Sequence, residues 1–224
     1  MKKIYFLLST FLLLLFGANA QTSIRYINLD VKMGEEADVA RLFAEYHDVE
    51  RKSGAAVLQS VGYLGGVSHR IVFAGDPANW GEKVERSDAE WEAYIGKMRP
   101  HFNDVNRSMV STNLRWRKEG SWEKSKASKY WEIIPEDPEQ FLKAYDNFIK
   151  SIDEILGNRV VTLESIDLGG THTTSLRGSD LNDIILVERE IQKTKAFKEF
   201  LEERGNVKLV KSYYANTIYR FNRH

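Results

Sequence analysis

The chain has 224 residues, of which 32 are basic and 32 acidic; 42% are hydrophobic and none is cysteine. Balanced charge argues against a nucleic-acid partner, which selects a basic face, and the missing thiols exclude disulfides, thiolate metal sites and a lipid-modified cysteine. Ten tyrosines and eleven phenylalanines supply a core that can hold without covalent staples.

The first stretch, MKKIYFLLSTFLLLLFGANAQT, sets Lys2 and Lys3 before an apolar run from Ile4 to Phe16, and ends on an Ala18-x-Ala20 exit. That pattern is expected of a secretory signal peptide cleaved after Ala20, in the style of a bacterial one. The run is shorter than the roughly 20 residues a membrane span needs, so no anchor is expected after cleavage. Removal of residues 1–20 leaves 30 basic against 32 acidic side chains, a formal charge of −2 in an exported chain, periplasmic or secreted.

Residues 24–32, IRYINLDVK, have the β-branched and aromatic content of a strand. Val39, Leu42, Phe43, Tyr46 and Val49 then recur on a helical period, with Gly54 as the expected helix end. AAVLQSVGYL and SHRIVFAG flank a Gly-Gly turn and read as a hairpin. A second helix carries Trp91, Tyr94, Ile95, Met98 and Phe102 on one face, started by a capping box of Ser87 and Glu90. RSMVSTNLRW closes the set as a strand.

After a polar linker at 118–128 the order repeats. A strand, KYWEII, precedes a helix capped by Asp137, begun by Pro138 and ended by Gly157; its stripe is Phe141, Tyr145, Phe148, Ile152 and Ile155. RVVTLESIDL and THTTSLRG form the second hairpin, Phe197, Phe200 and Leu201 mark the last helix, and VKLVKSYYANTIYRF is the last strand. Slid by 103 positions, residues 69–86 match 172–189 at six of eighteen places, where chance gives about one. The matches are His69 with His172, Gly75 with Gly178, Asn79 with Asn182, and Val84-Glu85-Arg86 with Val187-Glu188-Arg189. In both copies the segment between hairpin and last helix reads as a short helical connection, pinned by an ion pair of its Glu and Arg.

The sequence thus predicts an α+β protein of two tandem ferredoxin-like repeats, β-α-β-β-α-β twice, at 22–117 and 129–224. Each four-stranded sheet has helices on one face only. Its other face, with Ile71, Phe73, Leu114 and Trp116 or their alternating neighbours, needs a cover. Two such sheets packed face to face, closed into a pseudo-twofold barrel, supply it within one chain and need no oligomer.

In this order of elements and this repeat the chain resembles the dimeric α+β barrel superfamily, which includes antibiotic-biosynthesis-type monooxygenases, stress-responsive barrel proteins and NIPSNAP-like proteins, here as a tandem single-chain form. The resemblance covers nearly all of residues 24–221. In its haem-degrading branch an Asn on the first strand, a Trp on the second helix and a His further along it build the haem pocket. Asn28, Trp91 and His101 are similar in placement, although Pro100 interrupts the helix before His101.

His69 and His172 occupy equivalent strand positions, where two imidazoles could face one cavity; the plainer reading makes both strand histidines bonded to backbone. Trp116 and Tyr213 are the expected aromatic lining. No metal site is indicated, since a third protein ligand is missing beside the histidines. No nucleophile elbow, phosphate loop or His-Glu-x-x-His spacing occurs. The function expected is binding of a small hydrophobic or aromatic ligand in a mostly apolar barrel cavity. One alternative is an oxidoreductase of the cofactor-independent oxygenase or haem-handling kind. The other is a structural protein whose barrel is filled.

Overall fold

The computed structural model describes residues 23–62, 66–79, 81–117, 119–165 and 170–222; the expected signal peptide lies outside the described residues. The first repeat runs β1 (Ser23–Val31), α1 (Glu36–His47), β2 (Arg51–Ser53), β3 (Ala55–Val61), β4 (His69–Gly75), β5 (Gly81–Glu82), α2 (Asp88–Met98) and β6 (Phe102–Trp116). The second runs β7 (Ala127–Pro135), α3 (Pro138–Ser151), α4 (Asp153–Leu156), β8 (Val160–Ser165), β9 (His172–Gly178), α5 (Leu181–Gln192), α6 (Lys195–Glu203) and β10 (Val207–Phe221). No described helix is long and apolar enough to cross a membrane.

Eight strands close into one antiparallel barrel in the order β1-β4-β3-β10-β7-β9-β8-β6. Each repeat contributes four neighbouring strands, and two long strands join the repeats. β10 pairs with β7 over residues 207–216, then with β3 over 215–221. β6 does the same between β1 and β8. At 15 residues each, these strands are about 50 Å long at the usual rise per residue, enough to serve their own sheet and then the other. Closure leaves no free edge in the barrel.

Most of the barrel is covered from outside by helices and filled from inside by the opposite wall, while residues 208–212 of β10 stay exposed. Leu29, Val31, Leu58 and Ile71 pack outward against Val39, Phe43, Tyr94 and Met98 of α1 and α2. Ile133, Val161, Leu163 and Leu176 do the same under Phe141, Tyr145, Ile184 and Val187 of α3 and α5. The expected helix starts hold: Ser87 and Glu90 form the capping box of α2, and the Asp137 carboxylate accepts from the Gln140 N–H at 3.0 Å.

Three local expectations change. Gly54 does not end α1, which stops at His47; it sits between β2 and β3 with φ +75°, where an added Cβ would lie 1.7 Å from the Ala74 carbonyl oxygen. The connection after β4 is a single 3-10 turn followed by β5, whereas its counterpart after β9 is the full helix α5. The ion pairs expected within Glu85-Arg86 and Glu188-Arg189 are replaced by longer-range ones, Arg86 to Glu82 at 3.1 Å and Lys129 to Glu188 at 2.6 Å. The linker is docked rather than free. Arg117 donates to Asp153 at 2.7 Å, and Gly120 lies so close to the Val160 backbone that no Cβ would fit.

Candidate functional site

The barrel interior differs from the expected apolar cavity. Because side chains alternate along a strand, the outward role of Ile71 and Phe73 turns Arg70 and Val72 inward, and a chain of polar groups fills the middle. Arg70 donates to the Asn28 side chain at 2.8 Å and to the Tyr213 hydroxyl at 2.7 Å; Tyr213 donates to Glu132 at 3.1 Å. Arg177 reaches Glu164 at 3.3 Å, and Glu164 also accepts from Tyr26. Tyr130 and Tyr213 stack with centroids 5.2 Å apart, and Arg70 lies over both rings and over Tyr26. Burial, and then Glu164, push the Tyr26 hydroxyl well above the ordinary tyrosine range, so it stays a donor to Glu164. Each named group in this network has its partner, which is the state that makes buried polar atoms tolerable.

Of the residues expected at a site, Asn28 and Tyr213 belong to this network. His69 and His172 do not share a cavity with each other or with it, which corrects the two-wall expectation. Both occupy outward strand positions, one in each helix layer: His69 bonds Ser68 at 3.1 Å, and His172 packs its ring 6.4 Å from Phe141 of α3. Trp116 is 50% exposed at the end of β6, beside Arg115 and Arg117, rather than inside the barrel. Trp91 is 44% exposed on α2 against Tyr46 and Tyr94. His101, in the 3-10 turn that follows α2, pairs with Glu35 at 2.7 Å. Asn28, Trp91 and His101 therefore do not surround one cavity, and no haem pocket is formed from these three. Glu35, Asp38 and His101 do bring ligand atoms within 4.8 Å of one another, a grouping unexpected from sequence, though Arg41 already engages Asp38 at 3.0 Å.

Among the described residues, open space is found outside the barrel, between sheet and helices. In the second repeat a crevice of about 330 Å³ is walled by Trp131, Phe141, Phe148, Ile149, Phe197 and Phe200. Polar groups stand at its margin: Glu188, Gln192 and Arg204, the last with its guanidinium 5.9 Å from the Phe200 ring. α6 covers the crevice without fully burying any of its own residues.

The corresponding layer of the first repeat is polar. The stripe of α1 matches that of α3 at a shift of 102, Val39 with Phe141 and Tyr46 with Phe148, which sets His47 where the second repeat has Ile149. His47 Nδ1 lies 3.3 Å from Arg51 and 3.5 Å from Glu82; Glu82 also pairs with Arg51 at 3.4 Å and with Arg86 at 3.1 Å. Burial pulls His47 below its ordinary value, against the attraction of Glu82, which favours the neutral ring. The same burial opposes ionisation of Glu82, but His47, Arg86 and Arg51 outweigh it and hold the carboxyl below its usual range. Two hollows of about 340 and 550 Å³ adjoin this cluster, sharing Arg25, His47, Phe73 and Trp91 as walls. Sequence reasoning passed over His47 and Arg51. The available signal was a histidine inside an apolar helix stripe with no counterpart in the other copy.

The sequence matches no protein-family model and no curated protein. Solved structures do match. A candidate monooxygenase from Fusobacterium nucleatum superposes with a TM-score of 0.58 at 13% identity, covering 91% of this chain and 95% of its own. Another from Lactobacillus acidophilus gives 0.58 at 7% identity, with coverage of 91% and 97%. A mutant chlorite dismutase from Candidatus Nitrospira defluvii, crystallised with cyanide, gives 0.50 at 8% identity, covering 91% and 93%. At such identities the likeness is one of fold. The chain has the ferredoxin-like α+β barrel fold that these solved structures share, with both halves of the barrel in one polypeptide.

Proposed function

We propose that the protein is exported, loses residues 1–20, and binds a small apolar or aromatic ligand in the helix–sheet crevice of the second repeat. The observation that carries this reading is the crevice of about 330 Å³ walled by Trp131, Phe141, Phe148, Phe197 and Phe200. A volume of this order suits a small organic molecule, with few polar groups to orient it. The ligand is placed here and not in the barrel because the polar network already occupies the interior. Arg204 at the crevice margin, with its Nε buried and unbonded among the described residues, suits a ligand with an apolar body and one polar end.

The test is a titration with 1-anilinonaphthalene-8-sulfonate, followed by dye fluorescence and by quenching of the tryptophans. Saturable one-to-one binding is expected, weakened at least tenfold in Ile149→Trp, which fills the crevice from its α3 wall. Unchanged dye affinity in a folded Ile149→Trp variant rules the crevice out. A cofactor-independent oxygenase acting on a ligand held in the same place is the second reading, supported by the name that two fold neighbours carry, candidate monooxygenase. Oxygen uptake on adding a molecule that binds the crevice separates catalysis from binding alone.

A further inference from the structure

In the first repeat, α1 ends on a buried histidine, and that end of the helix holds the small β2–β5 sheet. His47 is 3% exposed, enclosed by the rings of Phe43, Tyr46, Phe73 and Tyr94 at centroid distances of 4.6 to 5.4 Å. Its Nδ1 stands between Arg51 of β2 at 3.3 Å and Glu82 of β5 at 3.5 Å. Arg51 is as buried as the histidine, and its hold is slight. One terminal nitrogen reaches His47 Nδ1, the His47 carbonyl at 3.5 Å and Glu82 at 3.4 Å, while Nε has no partner among the described residues. Arg86, after β5, pairs with Glu82 and donates to the Tyr46 carbonyl. Glu90 of α2 lies beyond Arg86, and further out Lys83 pairs with Glu50 at 3.4 Å. Arg25 of β1 and Asp48 at the helix end complete the charged surroundings, both engaged. Arg51 and Arg86 are thus offset by Glu82 and Glu90, and a charged imidazole is a cation in excess.

We propose that His47 is a pH-operated clasp between α1 and the β2–β5 sheet, closed while Nδ1 is bare and released when a proton occupies it. Bare, Nδ1 accepts from Arg51. Protonated, it can only donate, so it turns to Glu82, and Arg51 loses its nearest acceptor and faces a second cation at 3.3 Å. The enclosing rings keep bulk water from the added charge. Burial already pulls His47 below its ordinary value of about 6.5, against the attraction of Glu82. Opening returns the ring to that ordinary value, so the open form takes the proton first and gains population as pH falls below about 6.5. Against its burial, Glu82 is held below the usual carboxylate range by His47, Arg86 and Arg51, and it stays ionised through this window. In the second repeat Ile149 holds the place of His47, and α3 contains no histidine.

The test is hydrogen exchange followed by mass spectrometry on the mature chain at about pH 7.5 and about pH 5.5, on either side of the ordinary histidine value. Each rate is divided by the intrinsic exchange rate at that pH. The open population of the β2–β5 sheet and the end of α1 is expected to rise about three- to tenfold at the lower pH, since one proton allows at most about a tenfold change per pH unit. Exchange in α3 is expected to stay level. His47→Gln, whose amide oxygen still accepts from Arg51 and does not titrate, is expected to remove the rise. His69→Gln, the same change at the other buried histidine of this layer, is expected to keep it. A rise that persists in His47→Gln overturns the proposal, as does no rise in the wild type or a rise of the same size in α3. If His47→Gln fails to fold, the titration of the His47 ring followed by NMR in the wild type decides the matter: proton uptake at or above about pH 6.5 overturns the clasp.

Discussion

Glu164 shows what a single residue does in this barrel. Its side chain is fully buried, pairs with Arg177 at 3.3 Å, and accepts hydrogen bonds from Thr162 at 3.0 Å and from Tyr26. Removing one member of a buried pair strands the other charge, and this costs about 3–5 kcal/mol, whereas exchanging both for apolar groups costs much less. Glu164→Leu is therefore expected to lower unfolding stability by about 3–5 kcal/mol in chemical denaturation. The double variant Glu164→Leu/Arg177→Met should recover part of that loss. Equal losses in both variants would mean that the pair is not the unit of stability. Arg70 differs in having neutral partners, Asn28 and Tyr213, and three tyrosine rings around its guanidinium.

Among the elements, α6 stands apart. α5 buries Ile184, Val187 and Ile191, and α3 buries Phe141, Ala144 and Tyr145, but α6 buries none of its residues fully. It is held by Phe197 and Phe200 over the crevice, by a Thr194 cap accepting from the Phe197 N–H at 3.0 Å, and by Gln140 of α3 donating to the Glu203 carbonyl at 2.8 Å. Local opening is least costly where few apolar groups are buried. In native-state hydrogen exchange α6 is expected to open at a free energy below that of α3 and α5, and to gain protection when the dye fills the crevice. Protection in α6 equal to that of the barrel strands would make it a fixed wall and not the entry to the site.

For the whole molecule, closure rests on the two long strands. β10 and β6 each leave their own sheet to pair with the other repeat, so neither repeat can complete its edges or cover its inner face alone. Inner groups such as Arg70 with Tyr213 and Tyr26 with Glu164 also find partners across the two repeats. Separately produced 22–117 and 118–224 segments are expected to lack a cooperative thermal transition and to regain one on mixing. A cooperative transition in either segment alone, without self-association, would show that closure is not needed.

The sequence by itself determined the order of elements, the matching of the two halves, the capped helix starts and the barrel that such halves build, because these follow from local periodicity, turn chemistry and the need to cover a sheet. Only the tertiary structure decided which side of each strand faces inward. Period-two alternation marks two faces, and when helices cover one and the opposite wall covers the other, both are buried and neither reads as solvent. His69 and His172 were for that reason assignable to the interior from sequence, yet they stand outside it, while Arg70 and Glu164 stand within. The polar pocket around His47 was beyond local reading too, since Arg51, Glu82 and Arg86 meet it from β2, β5 and the segment after it, brought together by the two-stranded pairing of β2 with β5.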